Sequence, residues 1–228
     1  MKLNRILVVA CMLGMVQCSF AQKLVEVGAK GGLNYSDLNL STDGRLYSTK
    51  YHAGIGYHIG GYALMKLTKS FSIQPELLYS NQVQYFSTPN YSNLKTTLNY
   101  INIPVMFKYY LTGSLNVQVG PQLGILASSK GDLNQIQGGF FAGPPVFNQD
   151  LSSFLKSTDF SIAFGAGINF PANLNLTVRY TIGITDINKN SGGATFPGGL
   201  QPSFSTAYTR NQVLQVSLGY ALRKFVKK

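Results

Sequence analysis

The chain has 228 residues, room for one ordinary domain, and 45% of them are hydrophobic while only 12% are charged. A soluble domain usually carries about 25% charged residues, so an extensively solvated surface is excluded. The net charge of +11 comes from thinly spread Lys and Arg, clustered only at Arg223, Lys224, Lys227 and Lys228, which suits anionic lipid or envelope polymers better than nucleic acid.

Residues 1–21 read as a signal peptide. Lys2 and Arg5 form a positive start, residues 6–16 an apolar run, and Ser19-Phe20-Ala21 a small-x-small cleavage site before Gln22. The run is too short to cross a bilayer as a helix. Cys11 and Cys18, the only cysteines, fall inside this leader, and Val16-Gln17 fits a lipoprotein site at Cys18 poorly. The mature chain, residues 22–228, is then expected to carry no disulfide and no thiolate metal site. Subtracting Lys2 and Arg5 lowers the net charge from +11 to +9.

After the leader the chain alternates with period two, the signature of strands with one apolar face. Val25, Val27, Ala29, Gly31, Leu33 and Tyr35 oppose Glu26, Gly28, Lys30, Gly32 and Asn34. A polar stretch at 36–50 follows, with Asp43-Gly44 as a turn signal. The second strand, 51–66, sets Ala53, Ile55, Tyr57, Ile59 and Ala63 against His52, Gly54, Gly56, His58, Gly60 and Lys66. A short break at 68–70 leads to a third at 71–81, with Phe71, Ile73, Leu77 and Tyr79 against Ser72, Gln74, Glu76 and Ser80. A longer polar segment, 82–96, precedes a hairpin turning at Thr112-Gly113-Ser114. One arm presents Ile101, Ile103, Val105, Phe107, Tyr109 and Leu111; the other presents Leu115, Val117, Val119, Leu123 and Ile125.

The longest connection is expected at 129–157. Beyond it lie a strand at 158–170, a tight turn at Pro171-Ala172-Asn173, a strand opening at Leu174, a loop at 187–208 and a last strand through Leu214, Val216, Leu218, Tyr220 and Leu222. Eight strands result, with long and short connections alternating. That is the plan of an outer-membrane barrel with short periplasmic turns and longer external loops. Pro75, Pro104 and Pro121 fall inside strands, where each removes a ladder donor, and local bulges are expected there.

Alternation alone does not separate this barrel from a soluble one with an apolar interior. Face chemistry does. The polar face is Gly, Asn, Gln and Ser with scattered charges, which suits a narrow lumen, while the other is almost purely Ile, Val, Leu, Phe and Tyr, which suits lipid. Tyr35, Tyr57, Tyr79, Tyr109, Tyr180 and Tyr220 on the apolar face are expected to form an aromatic girdle. The reading is therefore all-β: an eight-stranded antiparallel up-and-down transmembrane β-barrel, monomeric, surrounded by outer-membrane lipid.

Two candidate sites stand out. Glu26, Lys30, Lys66, Glu76, Lys108 and Arg179 all project toward the presumed lumen, where opposite charges should pair because isolated buried ions are costly. Phe140, Phe141, Pro144, Pro145 and Phe147 form an apolar patch in the external connection, a candidate contact surface for a partner, and Phe196, Pro197 and Phe204 form a second. His52 and His58 are six residues apart, about 20 Å along a strand, too far to share a metal. No catalytic, cofactor or metal constellation is expected. Gly54-x-Gly56 and Gly165-x-Gly167 lack a following helix and carry no nucleotide-binding weight.

At Gln74-Pro75-Glu76-Leu77-Leu78-Tyr79-Ser80 and Tyr100-Ile101-Asn102-Ile103-Pro104 the chain resembles the PorT-like outer membrane protein β-barrel family, typical of the Bacteroidota. Residues 27–34 and 214–220 are similar too, and the likeness spans the mature chain. It departs at the C-terminus, where Lys227-Lys228 follow Phe225-Val226 in place of a terminal aromatic residue. The resemblance implies an eight-stranded barrel in the outer membrane of a Gram-negative bacterium, with some members linked to the type IX secretion machinery. The expected function is a small non-enzymatic barrel, structural or partner-binding through its loops, as an accessory of secretion or envelope assembly. The alternative is a narrow porin-like transporter of small solutes.

Overall fold

In the computed structural model the described residues are 23–41, 50–88, 91–133, 146–153, 155–187, 189 and 208–225. They form β1 (Lys23–Ser41), β2 (Lys50–Lys66), β3 (Phe71–Thr88), β4 (Tyr91–Tyr110), β5 (Leu115–Leu133), β6 (Val146–Asp150), β7 (Thr158–Asn169), β8 (Leu174–Gly183) and β9 (Tyr208–Lys224). Strands β1 to β5 pair in sequence order, β5 pairs β7, then β8 and β9 follow, and β9 returns to β1. All these pairings are antiparallel. Eight strands thus close into an up-and-down barrel, which removes the free sheet edge a half-buried sheet would otherwise present. The turns at 67–70, 111–114 and 170–173 lie at one end with Lys23 and Phe225; the other end carries the loops. The turn at 170–173 uses two consecutive left-handed residues, Ala172 (φ 61°) and Asn173 (φ 66°), the backbone of a primed hairpin turn.

The strands are longer than the hydrophobic alternation predicts. Residues 82–96, expected as a connection, are strand except at 89–90, with Gln82 paired to Leu98 and Gln84 to Thr96. The expected connection 129–157 likewise contains the end of β5 and the short strand β6. Strand β6 pairs Lys130 with Asp150 and Gly131 with Gln149, above the point where β7 leaves β5 at Ile125 and Thr158. The reason is physical. Beyond Val83 and Tyr85 polar residues crowd 87–96, so the alternation in hydrophobicity fades while the backbone ladder continues.

No bulge occurs at Pro75, Pro104 or Pro121, contrary to expectation. The register on either side of each is unshifted: Gln74 and Pro75 face Met106 and Val105, and Pro104 faces Gln122. The ladder instead skips pairs beside them, so the missing N–H donors are absorbed as gaps. Shifts fall elsewhere, among them Leu24/Glu26, Val27/Gly28, Asn99/Tyr100 and Gly131/Leu133.

The expected inside and outside faces are the observed ones. Leu33, Ile55, Ile59, Leu77, Phe107, Val119, Phe164, Val216 and Leu218 are exposed on the outer wall, while Asn34, Ser80, Asn102, Gln118, Thr177 and Ser217 are buried inside. Phe71 packs at a tilt against Tyr109 near the turn end (4.8 Å between centroids), and Tyr57 lies 6.2 Å from Tyr79. Tyr180 departs from a purely lipid-facing role, since its hydroxyl donates to Gln212 Oε1 at 2.8 Å.

Glycine is required where the wall and the interior meet. A Cβ on Gly32 would overlap the Val216 carbonyl oxygen and stand 2.9 Å from Cε1 of His58. Gly32→Val is expected to abolish most of the folded, heat-modifiable band in gel mobility assays. Gly113→Val, in the open turn with nothing within 4 Å, should leave that band unchanged.

Candidate functional site

The barrel interior is filled by four stacked polar layers and an apolar one. Near the turn end the Tyr62 hydroxyl donates to Glu26 Oε1 at 2.6 Å, and Asn175 Nδ2 donates to the same hydroxyl at 3.1 Å. The middle layer centres on Glu76. Its Oε1 accepts from Lys30 Nζ (3.0 Å), Arg179 Nη2 (2.7 Å) and Gln74 Nε2 (2.8 Å), and its Oε2 from Arg179 Nη1 (3.0 Å). Arg179 Nη2 also donates to Gln118 Oε1 at 3.2 Å. This is a bidentate guanidinium–carboxylate pair with a second cation on the same oxygen, held by side chains at most 3% exposed for Lys30, Glu76 and Arg179.

Strand geometry explains why the group assembles. Residues 30, 76 and 179 lie on β1, β3 and β8, three separate sectors of a ring narrow enough for long side chains to meet across it. Arg179 faces Gly165 on β7, and the missing side chain there leaves room for the guanidinium to reach Gln118 on β5.

Above this layer His58 sits between Asn34 Oδ1 and Ser217 Oγ, each 2.8 Å from a ring nitrogen. Asn34 Nδ2 donates to Ser80 Oγ and to the carbonyls of Tyr57 and Asn81 within 3.0 Å. Higher still Asn211 Nδ2 donates to Gln82 Oε1 at 2.6 Å. The loop end closes with an apolar cluster of Leu98, Tyr100 and Ile187, against which Leu126 and Leu155 pack. The Lys156 N–H donates to the Ile187 carbonyl at 2.8 Å, which holds the segment after β8 in place.

Of the six predicted lumen charges, Lys30, Glu76 and Arg179 meet. Lys108 is buried inside but makes no hydrogen bond or salt bridge among the described residues. Glu26 is half-buried and bonds Tyr62 instead. Lys66 keeps the inward register of β2 but is exposed, at the turn end of the strand. His58 is an interior residue, whereas His52 is exposed nearer the rim.

The apolar patch residues Phe140, Phe141, Pro144 and Pro145, like Phe196, Pro197 and Phe204, lie outside the described residues. Phe147 lies in β6, with its side chain outside the description. Sequence reading missed Gln74, Gln118 and Tyr62 as partners of the charged groups, and Ile187 as part of the plug. The glutamines stood on the correct face, but nothing local marks which carboxylate they reach, and Ile187 sits in a polar loop without periodicity.

Among proteins of known family, the outer membrane protein beta-barrel domain matches residues 20–189. Among solved structures, Neisserial surface protein A is similar at 10% identity and a TM-score of 0.45, covering 85% of this chain and 96% of its own. Ail, the attachment invasion locus protein of Yersinia pestis, is similar at 11% identity and a TM-score of 0.44, covering 88% and 100%. OprG from Pseudomonas aeruginosa is similar at 12% identity and a TM-score of 0.41, covering 89% and 98%. No curated protein matches the chain.

Proposed function

This chain belongs to the outer membrane protein beta-barrel domain family, and from that premise we propose that it is a small, non-enzymatic, non-conducting barrel. Its lumen serves as a rigid strut, and its work is structural or partner-binding at the loop end, as a PorT-like accessory of secretion or envelope assembly. Residues 1–21 act as the signal peptide that sends residues 22–228 to the outer membrane of a Bacteroidota-type cell. One observation carries the reading: the buried Lys30–Glu76–Arg179 cluster spans the interior where a solute would have to pass. Bidentate pairing in a buried site resists opening, since breaking it leaves a buried charge uncompensated. The Leu98–Tyr100–Ile187 cluster adds a second obstruction nearer the loops.

Planar-bilayer recording tests the closed lumen, with no single-channel steps expected from the wild-type barrel. Reproducible steps that vanish on altering Arg179 or Glu76 would favour the narrow transporter instead. The binding role is tested by affinity isolation from envelopes with and without residues 138–147. Co-purification of an envelope protein that depends on the segment is expected, and an identical set of proteins in both preparations would remove the segment from the role.

A further inference from the structure

Among the described residues the charges of the interior do not balance locally. Lys30, Lys108 and Arg179 are buried cations at 2%, 4% and 1% exposure. Glu76 is the one carboxylate buried among them, and its two oxygens already accept four hydrogen bonds. Half-buried Glu26 is engaged by Tyr62. Counting it as a full charge still leaves one cation in excess. The other buried acid among the described residues, Asp159, is held by Thr185 at 2.7 Å. It lies six residues along β7 from Gly165, about 20 Å away along the strand.

Unpaired hydrogen-bond donors lie at the same level. Lys108 faces Gln118 across β4 and β5, Gln118 faces Gly165 across β5 and β7, and Gly165 faces Arg179 across β7 and β8. These four positions form one continuous row of the wall. Three of them bring unspent donors. The Lys108 ammonium makes no hydrogen bond or salt bridge among the described residues. Gln118 gives its Oε1 to Arg179, which leaves Nε2 unpaired, and the Arg179 Nε–H is also without an acceptor.

We infer that the turn-side half of the barrel interior binds one small monovalent anion, of halide size, along the row formed by Lys108, Gln118 and Arg179. Water would satisfy N–H groups but would leave the surplus positive charge in a medium that penalises it. An anion satisfies both. The size limit follows from the fold, because an eight-stranded ring already filled with side chains leaves no room for an oxyanion cluster or an organic acid. The inference goes beyond the proposed binding role and does not depend on it, since the site is internal and involves no loop.

The test is thermal unfolding of the refolded barrel in detergent, with chloride or bromide exchanged for gluconate at constant ionic strength and pH. Wild type is expected to melt several degrees higher in either halide. Lys66→Gln, at an exposed lysine, should keep that difference, and Lys108→Met should lose it. Should Lys108→Met fail to fold, crystals of the wild-type barrel soaked in bromide give the independent readout, an anomalous peak in contact with Lys108 Nζ. Equal melting in halide and gluconate, or bromide peaks confined to the outer surface, would overturn the inference.

Discussion

Glu76→Gln is expected to lower the stability of the folded barrel by about 3–5 kcal/mol, the cost of removing one partner from a buried ionic group. The carboxylate accepts four hydrogen bonds from three side chains, two of them cationic. An amide is neutral and brings two donors of its own, so the Lys30 ammonium and the Arg179 guanidinium would face each other and an N–H group without compensation. Urea unfolding in lipid vesicles, followed by tyrosine fluorescence and gel mobility, measures the loss. Glu26→Gln provides the contrast. That group is half-buried and holds one described hydrogen bond, to Tyr62, so about 1 kcal/mol is expected there. Replacing Glu76 and Arg179 together by Met should recover part of the loss, since the pair's desolvation cost disappears with it. A Glu76→Gln barrel as stable as the Glu26→Gln barrel would mean the interior is wet enough to screen its ions, and the strut would no longer hold.

The second large effect lies on the other side of the wall. Val216 is 44% exposed in the middle of β9, flanked by Leu33 on β1 and Val178 on β8. Val216→Arg should cost about 2–4 kcal/mol in vesicles if this belt meets the middle of the hydrocarbon, falling to about 0–1 near the interface. Leu222→Arg, six residues nearer the turn end of the same strand, supplies the interfacial comparison. The two variants share a strand, a face and a chemical change, so the difference between them isolates depth. Equal small costs would show that the apolar face does not lie in lipid.

Much of the wall was legible before any coordinates. In β9 the residues Leu214, Val216, Leu218, Tyr220 and Leu222 face outward and Val213, Gln215, Ser217, Gly219 and Ala221 inward, as the alternation reads. The lumen was half legible. Six charged residues were placed inside, and all six lie on inward register positions, yet three of them form the cluster, one bonds a tyrosine, Lys108 makes no salt bridge among the described residues and Lys66 is exposed. Lys66 is exposed because it is the last residue of β2, at the open turn end of the barrel. The strand pieces at 82–88, 91–96 and 146–150 were read as connections because polar residues interrupt their apolar alternation, although their backbones pair.

The division between the two sources of knowledge has one cause. Which side of a strand a residue occupies depends on its immediate neighbours, since successive side chains point to opposite faces. Strand number, inside from outside, and the tight turns follow from that local rule and could be read from residue order. Which inward residues touch depends on ring closure and on the stagger between strands. Closure brings residue 76 to residues 30 and 179, which are 46 and 103 positions away along the chain. No periodicity encodes those distances, so the Glu76 cluster, the burial of Lys108 and the Ile187 plug emerged from the assembled barrel.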